Sequence, residues 1–186
     1  MKIIITIGTT PFEFKRVNKL IPILSKKKDI NKIIFQTTIN NNFYIKNKNF
    51  KIANNLSPKN LINYIKIADK IIAHGGPATI FLLTKYAKVM PLIIPRLAKY
   101  KEHVDDHQLY FVKFLRKKLP KKLKKYFVIK EDIKNIFENY LIEKKVENRL
   151  KDFLFLNNKR KILIKKMERW IENYLFPKSS IFYYTT

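Results

Sequence analysis

Short apolar runs that alternate with amphipathic segments predict an α/β fold, a parallel sheet with helices on both faces, followed by a basic helical extension. Three observations carry this. The β-branched runs KIIITI, IIFQTT, KIIA and PLIIP are separated by stretches whose apolar residues recur at helical spacing. Only three glycines occur, Gly8, Gly75 and Gly76, and each follows a predicted strand. At 186 residues and 46% hydrophobic content the chain has the length of one domain and material for a core.

Residues 2 to 7 read as a buried strand ending at Gly8. A helix follows, with Phe14, Val17, Leu20, Ile21 and Leu24 on one face, and Pro22 kinks or shortens it. Asn31 to Thr38 gives a second strand and Phe50 to Ala53 a third, with an Asn-rich loop or edge hairpin between them. Ser57 and Pro58 supply an N-cap and a first-turn proline for a helix whose apolar face is Leu61, Ile62, Ile65 and Ala68. Strand KIIA then runs into His74-Gly75-Gly76, a helix carries Ile80, Leu82, Leu83 and Tyr86, and residues 91 to 95 form another strand. The next helix begins near Asp105 and Asp106, with Leu109, Val112 and Leu115 at spacing three and an acidic first turn.

Beyond residue 120 the character changes, with a strand expected at Tyr126 to Ile129, a helix at Glu131 to Leu141, and lysine-rich helix from about 146. A last helix, about 159 to 175, puts Leu163, Met167, Trp170, Ile171 and Tyr174 on one face. That stripe suits packing on the domain, docking of a partner, or contact with an anionic bilayer. The expected division is therefore a domain over 1–120 and a basic, mostly helical extension over 121–186.

Forty Lys and Arg against fourteen Asp and Glu leave a net charge of +26, a field that attracts polyanions and anionic membranes. AT-rich codon usage is an alternative source of the lysine excess. The cations are spread over the whole chain and no aromatic-basic motif of RNA binders occurs, which argues against a nucleic-acid-binding protein. Without cysteine there is no disulfide framework, Cys-ligated zinc, iron–sulfur cluster or thiol nucleophile. The opening apolar run is too short for a signal sequence, so a cytoplasmic chain is expected.

Three loops at predicted strand ends could carry chemistry. AHGGPAT, residues 73 to 79, is either a tight turn or an anion site, in which glycines admit close approach and helix amides with the Thr79 hydroxyl face outward. A bulky residue at Gly76 is then expected to remove ligand binding and leave the fold intact. EHVDDHQ, residues 102 to 108, admits three readings: a metal site at His103 and His107 with Asp106 nearby, helix capping by Asp105 or Asp106, or carboxylate and amide recognition of sugar hydroxyls. The segment Gly8-Thr9-Thr10-Pro11-Phe12 is a turn or a third wall of the same crevice. Together they suit a diphosphate flanked by hydroxyl-rich groups.

At IGTTPFEF (7–14), IADKIIAHGGPATI (67–80) and PLIIPRLAKYKEHVDDHQ (91–108) the sequence resembles the bacterial polysaccharide-biosynthesis relatives of the family 28 glycosyltransferase C-terminal domain. It is also similar to the soluble subunit of the two-part eukaryotic N-acetylglucosaminyltransferase for dolichol-linked sugars. The resemblance covers about residues 1 to 115. It implies one Rossmann-like half of a GT-B enzyme, the half that binds the nucleotide-sugar donor, with the acceptor half on a separate, often membrane-bound chain. By position, His74, Gly75, Gly76, Ala78 and Thr79 hold the diphosphate, Gly8 and Thr9 border it, Glu102, Asp106 and Gln108 meet ribose or sugar hydroxyls, and backbone near Leu56 faces the base.

The expected activity is metal-independent, inverting transfer from a UDP-sugar to a lipid-linked acceptor, at the inner face of the plasma membrane and without a cofactor; the alternative within the same complex is a noncatalytic scaffold subunit. His74, protonated or as a donor tautomer, would stabilise the diphosphate, or would be only a hydrogen-bonded structural residue. The family often has glycine where this chain has Ala87 and Lys101, and Met90 looks like an insertion.

Overall fold

In the computed structural model, residues 1–37, 49–54 and 56–154 are described. The first strand, β1 (Lys2–Thr6), leads through a loop into α1 (Lys15–Asn18) and α2 (Ile21–Ser25). The periodicity marks the right face, since Phe14, Val17, Leu20, Ile21 and Leu24 are all buried, but the chain forms two short helices and not one. Pro22 has no N–H to continue the first helix, and it sits in the first turn of the second, where none is needed.

Strands β2 (Lys32–Thr37) and β3 (Phe50–Asn54) follow, then α3 (Pro58–Ile67), whose Asn60 amide donates to the Ser57 hydroxyl at 3.3 Å as the cap signal implies. Next come β4 (Lys70–His74), α4 (Pro77–Tyr86) and β5 (Leu92–Ile94). The five strands are parallel in the order β3-β2-β1-β4-β5. Chain direction across the sheet reverses between β1 and β4. Right-handed crossovers therefore put α1 and α2 on one face and α3 and α4, which pack on each other, on the opposite face. Ile3–Ile5, Ile33–Phe35 and Ile71–Ala73 fill the space between the layers, which is why these strands read as continuous apolar runs.

After β5 a 3-10 helix (Ala98–Tyr100) precedes α5 (His107–Lys118), a second 3-10 helix (Lys121–Tyr126), α6 (Lys134–Ile142) and α7 (Leu150–Leu154). The strand expected at Tyr126–Ile129 is reduced to one parallel bridge, Phe127 to Ile93, with the Val128 amide donating to Ile93 O at 2.9 Å. The next ladder bond would need the amide of residue 95, which is a proline with no N–H, so pairing stops there, while Arg116 donates to the carbonyls of Lys124 and Phe127.

A buried hydroxyl adds to the ties between the 121–154 segment and the sheet. Tyr140 Oη accepts from the Ile71 amide at 2.9 Å and lies 2.9 Å from Met90 O, linking β4 to the chain two residues before β5. Lys70, buried at the start of β4, donates to Glu143 O at the end of α6 at 2.6 Å and lies over the Tyr140 ring. Residues Met1–Leu154 form one compact unit. The helix expected at 159–175 lies outside the described residues. Among the described residues no helix is long and apolar enough to cross a membrane.

Candidate functional site at the sheet switch point

Where the strand order reverses, β1 and β4 lie side by side, with Thr6 opposite Ala73, so the Gly8 loop and the His74-Gly75-Gly76 loop meet at the carboxyl edge of the sheet. Open α/β sheets bind ligands there. Gly8 adopts φ +79°, a backbone that only glycine takes without strain. Gln36 buttresses this loop from β2, receiving the Thr6 hydroxyl at 2.7 Å and donating to Gly8 O at 3.3 Å.

The His74 ring occupies the centre. A Cβ on Gly8 would come within 3.0 Å of its Nε2, and a Cβ on Gly76 within 3.0 Å of its Cε1 and Nδ1. The two glycines therefore clasp the imidazole from opposite loops. Gly75 has a different neighbour, since a Cβ there would press on Pro95 and Val112 at 3.0 Å. The close approach that the sequence suggests for a ligand is made, at all three glycines, by the protein itself.

His74 Nδ1 accepts from the Gly76 amide at 3.2 Å, and Nε2 lies 2.7 Å from Thr79 Oγ1. Nδ1 also lies 3.4 Å from Gln108 Oε1, but the closer Gly76 amide is a donor and favours the Nε2–H tautomer, in which Thr79 Oγ1 accepts from the ring and its own proton points outward. Burial first, and the Arg96 guanidinium second, push the His74 pKa from 6.5 down to about 3. The protonated alternative is thus corrected: the imidazole is neutral at physiological pH. Between about pH 3 and 6.5 the unfolded chain binds one more proton at this residue, so stability falls as pH drops through that window and levels off below it. Compared with a His74→Gln variant, wild-type stability should fall by about 1.4 kcal/mol more per pH unit. Equal slopes in urea titrations across pH 4–6 would contradict a buried neutral histidine.

In α4 the first intrahelical bond runs from the Ile80 amide to Gly76 O at 3.0 Å, and Pro77 has no amide. The amides of Ala78 and Thr79 consequently have no acceptor within the helix, and they carry the positive end of its dipole. Ala78 is exposed and Thr79 half-buried. Thr9 is exposed beside Gly8, and Leu56 follows β3 at the same sheet edge, with β2 between its strand and β1.

The residues expected to meet hydroxyls also hold the backbone after β5. Three successive amides after β5 are each taken by one of them: Arg96 N–H by Gln108 Oε1 at 3.2 Å, Leu97 N–H by Glu102 Oε2 at 3.1 Å and Ala98 N–H by Asp106 Oδ1 at 2.8 Å. Glu102 is fully buried, and both its oxygens are further filled by Arg16, through the backbone amide at 3.0 Å and the guanidinium at 2.8–3.2 Å. Its carboxylate therefore faces the protein and not the crevice. Asp106 occupies the cap position of α5 without capping it, because its carboxylate is turned to Ala98. Asp105 instead accepts the His107 amide at 3.2 Å, and the expected acidic first turn is absent because α5 starts at His107.

Arg96 is the hub that sequence reasoning missed. It is fully buried, donating to Phe12 O at 2.8 Å, Ile7 O at 2.7 Å and Glu102 O at 3.0 Å, with its guanidinium 4.7 Å from the Phe14 ring centroid. Burial lowers its pKa to about 10, so it stays charged. An arginine inside the apolar run PLIIPRL was the available signal, since a cation so placed needs several acceptors. Lys101 holds φ +55° and ψ +33°, the left-handed backbone for which glycine serves elsewhere. Ala87 ends α4 in extended backbone, where no glycine is required.

A parallel sheet with its switch point walled by a glycine turn and a helix N-terminus defines the class of nucleotide-binding α/β domains. Residues 2–168 match the model of the glycosyltransferase family 28 C-terminal domain, and the chain belongs to that family. It is thus a glycosyltransferase-type domain, the half of a GT-B fold that binds the sugar-nucleotide donor. No curated protein and no solved structure matches the chain.

Proposed function

We propose that this chain binds a UDP-sugar at the β1–β4 switch point and works with a membrane-associated acceptor-binding subunit to transfer the sugar to a lipid-linked acceptor in surface polysaccharide biosynthesis. The observation that carries the reading is the first turn of α4, which holds the Ala78 and Thr79 amides without acceptors in the helix together with the Thr79 hydroxyl, bonded to neutral His74. A nucleoside diphosphate leaving group needs such donors. As the glycosidic carbon–oxygen bond to the diphosphate breaks, negative charge grows on the distal phosphate, and preorganised N–H and O–H groups stabilise it without a metal at that position.

The acceptor hydroxyl attacks the opposite face of the sugar, inverting the anomeric centre, with its proton taken by a base on the acceptor half. His74 acts one step back: it accepts no substrate proton and keeps the Thr79 hydroxyl turned outward. Asp106 and Gln108 each spend one oxygen on the backbone, leaving the second carboxylate oxygen and the amide nitrogen for ribose or sugar hydroxyls. Glu102 and Arg96 are positioning residues.

Replacing Thr79 by valine keeps the shape and removes the donor. UDP affinity by calorimetry is expected to fall about tenfold, close to 1.4 kcal/mol, with the melting temperature nearly unchanged. Unchanged affinity would move the diphosphate away from α4.

A further inference from the structure

The loop between the 3-10 helix Ala98–Tyr100 and α5 holds a side-chain cluster that the donor crevice does not use. His103, Asp105 and His107 each bring a ligating atom within 4.8 Å of the others. Asp105 Oδ1 lies 2.5 Å from His107 Nδ1 and 3.5 Å from His103 Nδ1, and the two imidazoles meet edge to face with centroids 4.5 Å apart. The hydrogen bonds of Asp105 to the His107 amide and ring account for half of this arrangement. They leave out His103, whose Nδ1 is buried with no hydrogen-bond partner. A buried ring nitrogen without a partner is uncommon.

We propose that His103, Asp105 and His107 form a binding site for a divalent transition metal of the zinc class, with a fourth, exchangeable position open to solvent. Two imidazoles and one carboxylate suit Zn²⁺ or Co²⁺, whereas Mg²⁺ and Ca²⁺ take oxygen ligands. Tetrahedral zinc with bonds of about 2.0–2.1 Å sets neighbouring ligand atoms about 3.3 Å apart. The His103–Asp105 edge is already 3.5 Å, and rotation of half-exposed His107 must lengthen its edge to Asp105 while bringing its edge to His103, now within 4.8 Å, to the same length. Spacing along the sequence pointed to Asp106 as the nearby carboxylate. Because α5 begins at His107 and Asp106 turns to Ala98, the third donor is Asp105.

His103 also packs on Phe12, with ring centroids 6.0 Å apart, so an occupied site would stiffen the loop ahead of Gln108 against the loop that follows β1. The role is structural support of the crevice rim, separate from the chemistry at the diphosphate.

The test is a Co²⁺ titration of the tag-free full-length chain, read by visible ligand-field absorption and followed by Zn²⁺ competition. One equivalent should bind with micromolar affinity and be displaced by Zn²⁺, and His103→Ala and His107→Ala should each weaken binding at least tenfold. Circular-dichroism melts establish that the variants are folded. Absence of a four- or five-coordinate spectrum, or equal affinity in the double variant, overturns the proposal. No nucleotide enters the experiment, so its outcome is independent of the donor assignment.

Discussion

Replacing Gly76 by alanine should abolish UDP-sugar binding, by at least about 100-fold or 2.7 kcal/mol, and should also destabilise the domain by roughly 1–3 kcal/mol. The added Cβ would stand within 3.0 Å of His74 Cε1 and Nδ1, and the ring cannot retreat because Gly8 closes its other side. Either His74 or the loop must move, and with it the Thr79 hydroxyl bonded to Nε2 at 2.7 Å. This corrects the expectation that a side chain at 76 leaves the fold intact. A second substitution separates the two effects. His74→Ala in the Gly76→Ala background removes the clash, so stability should recover while binding stays lost, because Thr79 is no longer oriented. If Gly76→Ala alone binds donor normally, the clasp around His74 plays no part in recognition.

Arg96→Met should produce the largest loss of stability, about 4 kcal/mol, from three charge-assisted bonds removed and three loop carbonyls left without their donor. Methionine preserves much of the side-chain volume, so the effect isolates the guanidinium. For a domain whose total stability is on the order of 5–15 kcal/mol, such a loss shifts the urea midpoint far to the left. Arg96→Lys should rescue little, because one ammonium group cannot reach Ile7 O, Phe12 O and Glu102 O together. A loss under about 1 kcal/mol would show that the loops hold their places without Arg96.

Both predictions concern features that local sequence signals could not reveal. The strands, the Ser57 cap, the start of α4 at Pro77 and the apolar face of the first helical segment all depend on residues within a few positions of one another. So does the placement of glycines at strand ends. β-branched runs, helical periodicity and capping chemistry are short-range, and the order of elements then leaves a right-handed parallel sheet as the economical arrangement.

Identity of partners is another matter. Glu102 reads as a hydroxyl acceptor until the sheet brings Arg16 to it from 86 positions away, and Arg96 meets Ile7 across 89. Which charge is buried beside which depends on strand order. A polar side chain also has the same character in sequence whether it faces solvent, ligand or a buried amide. The glycines show the division most clearly. That a Cβ is excluded at Gly8, Gly75 and Gly76 follows from their survival in a chain nearly emptied of glycine, a fact of composition. What excludes it at each is His74 for the first and last and Pro95 with Val112 for the middle one. Only packing decides that, because steric exclusion depends on which atoms arrive from distant parts of the chain.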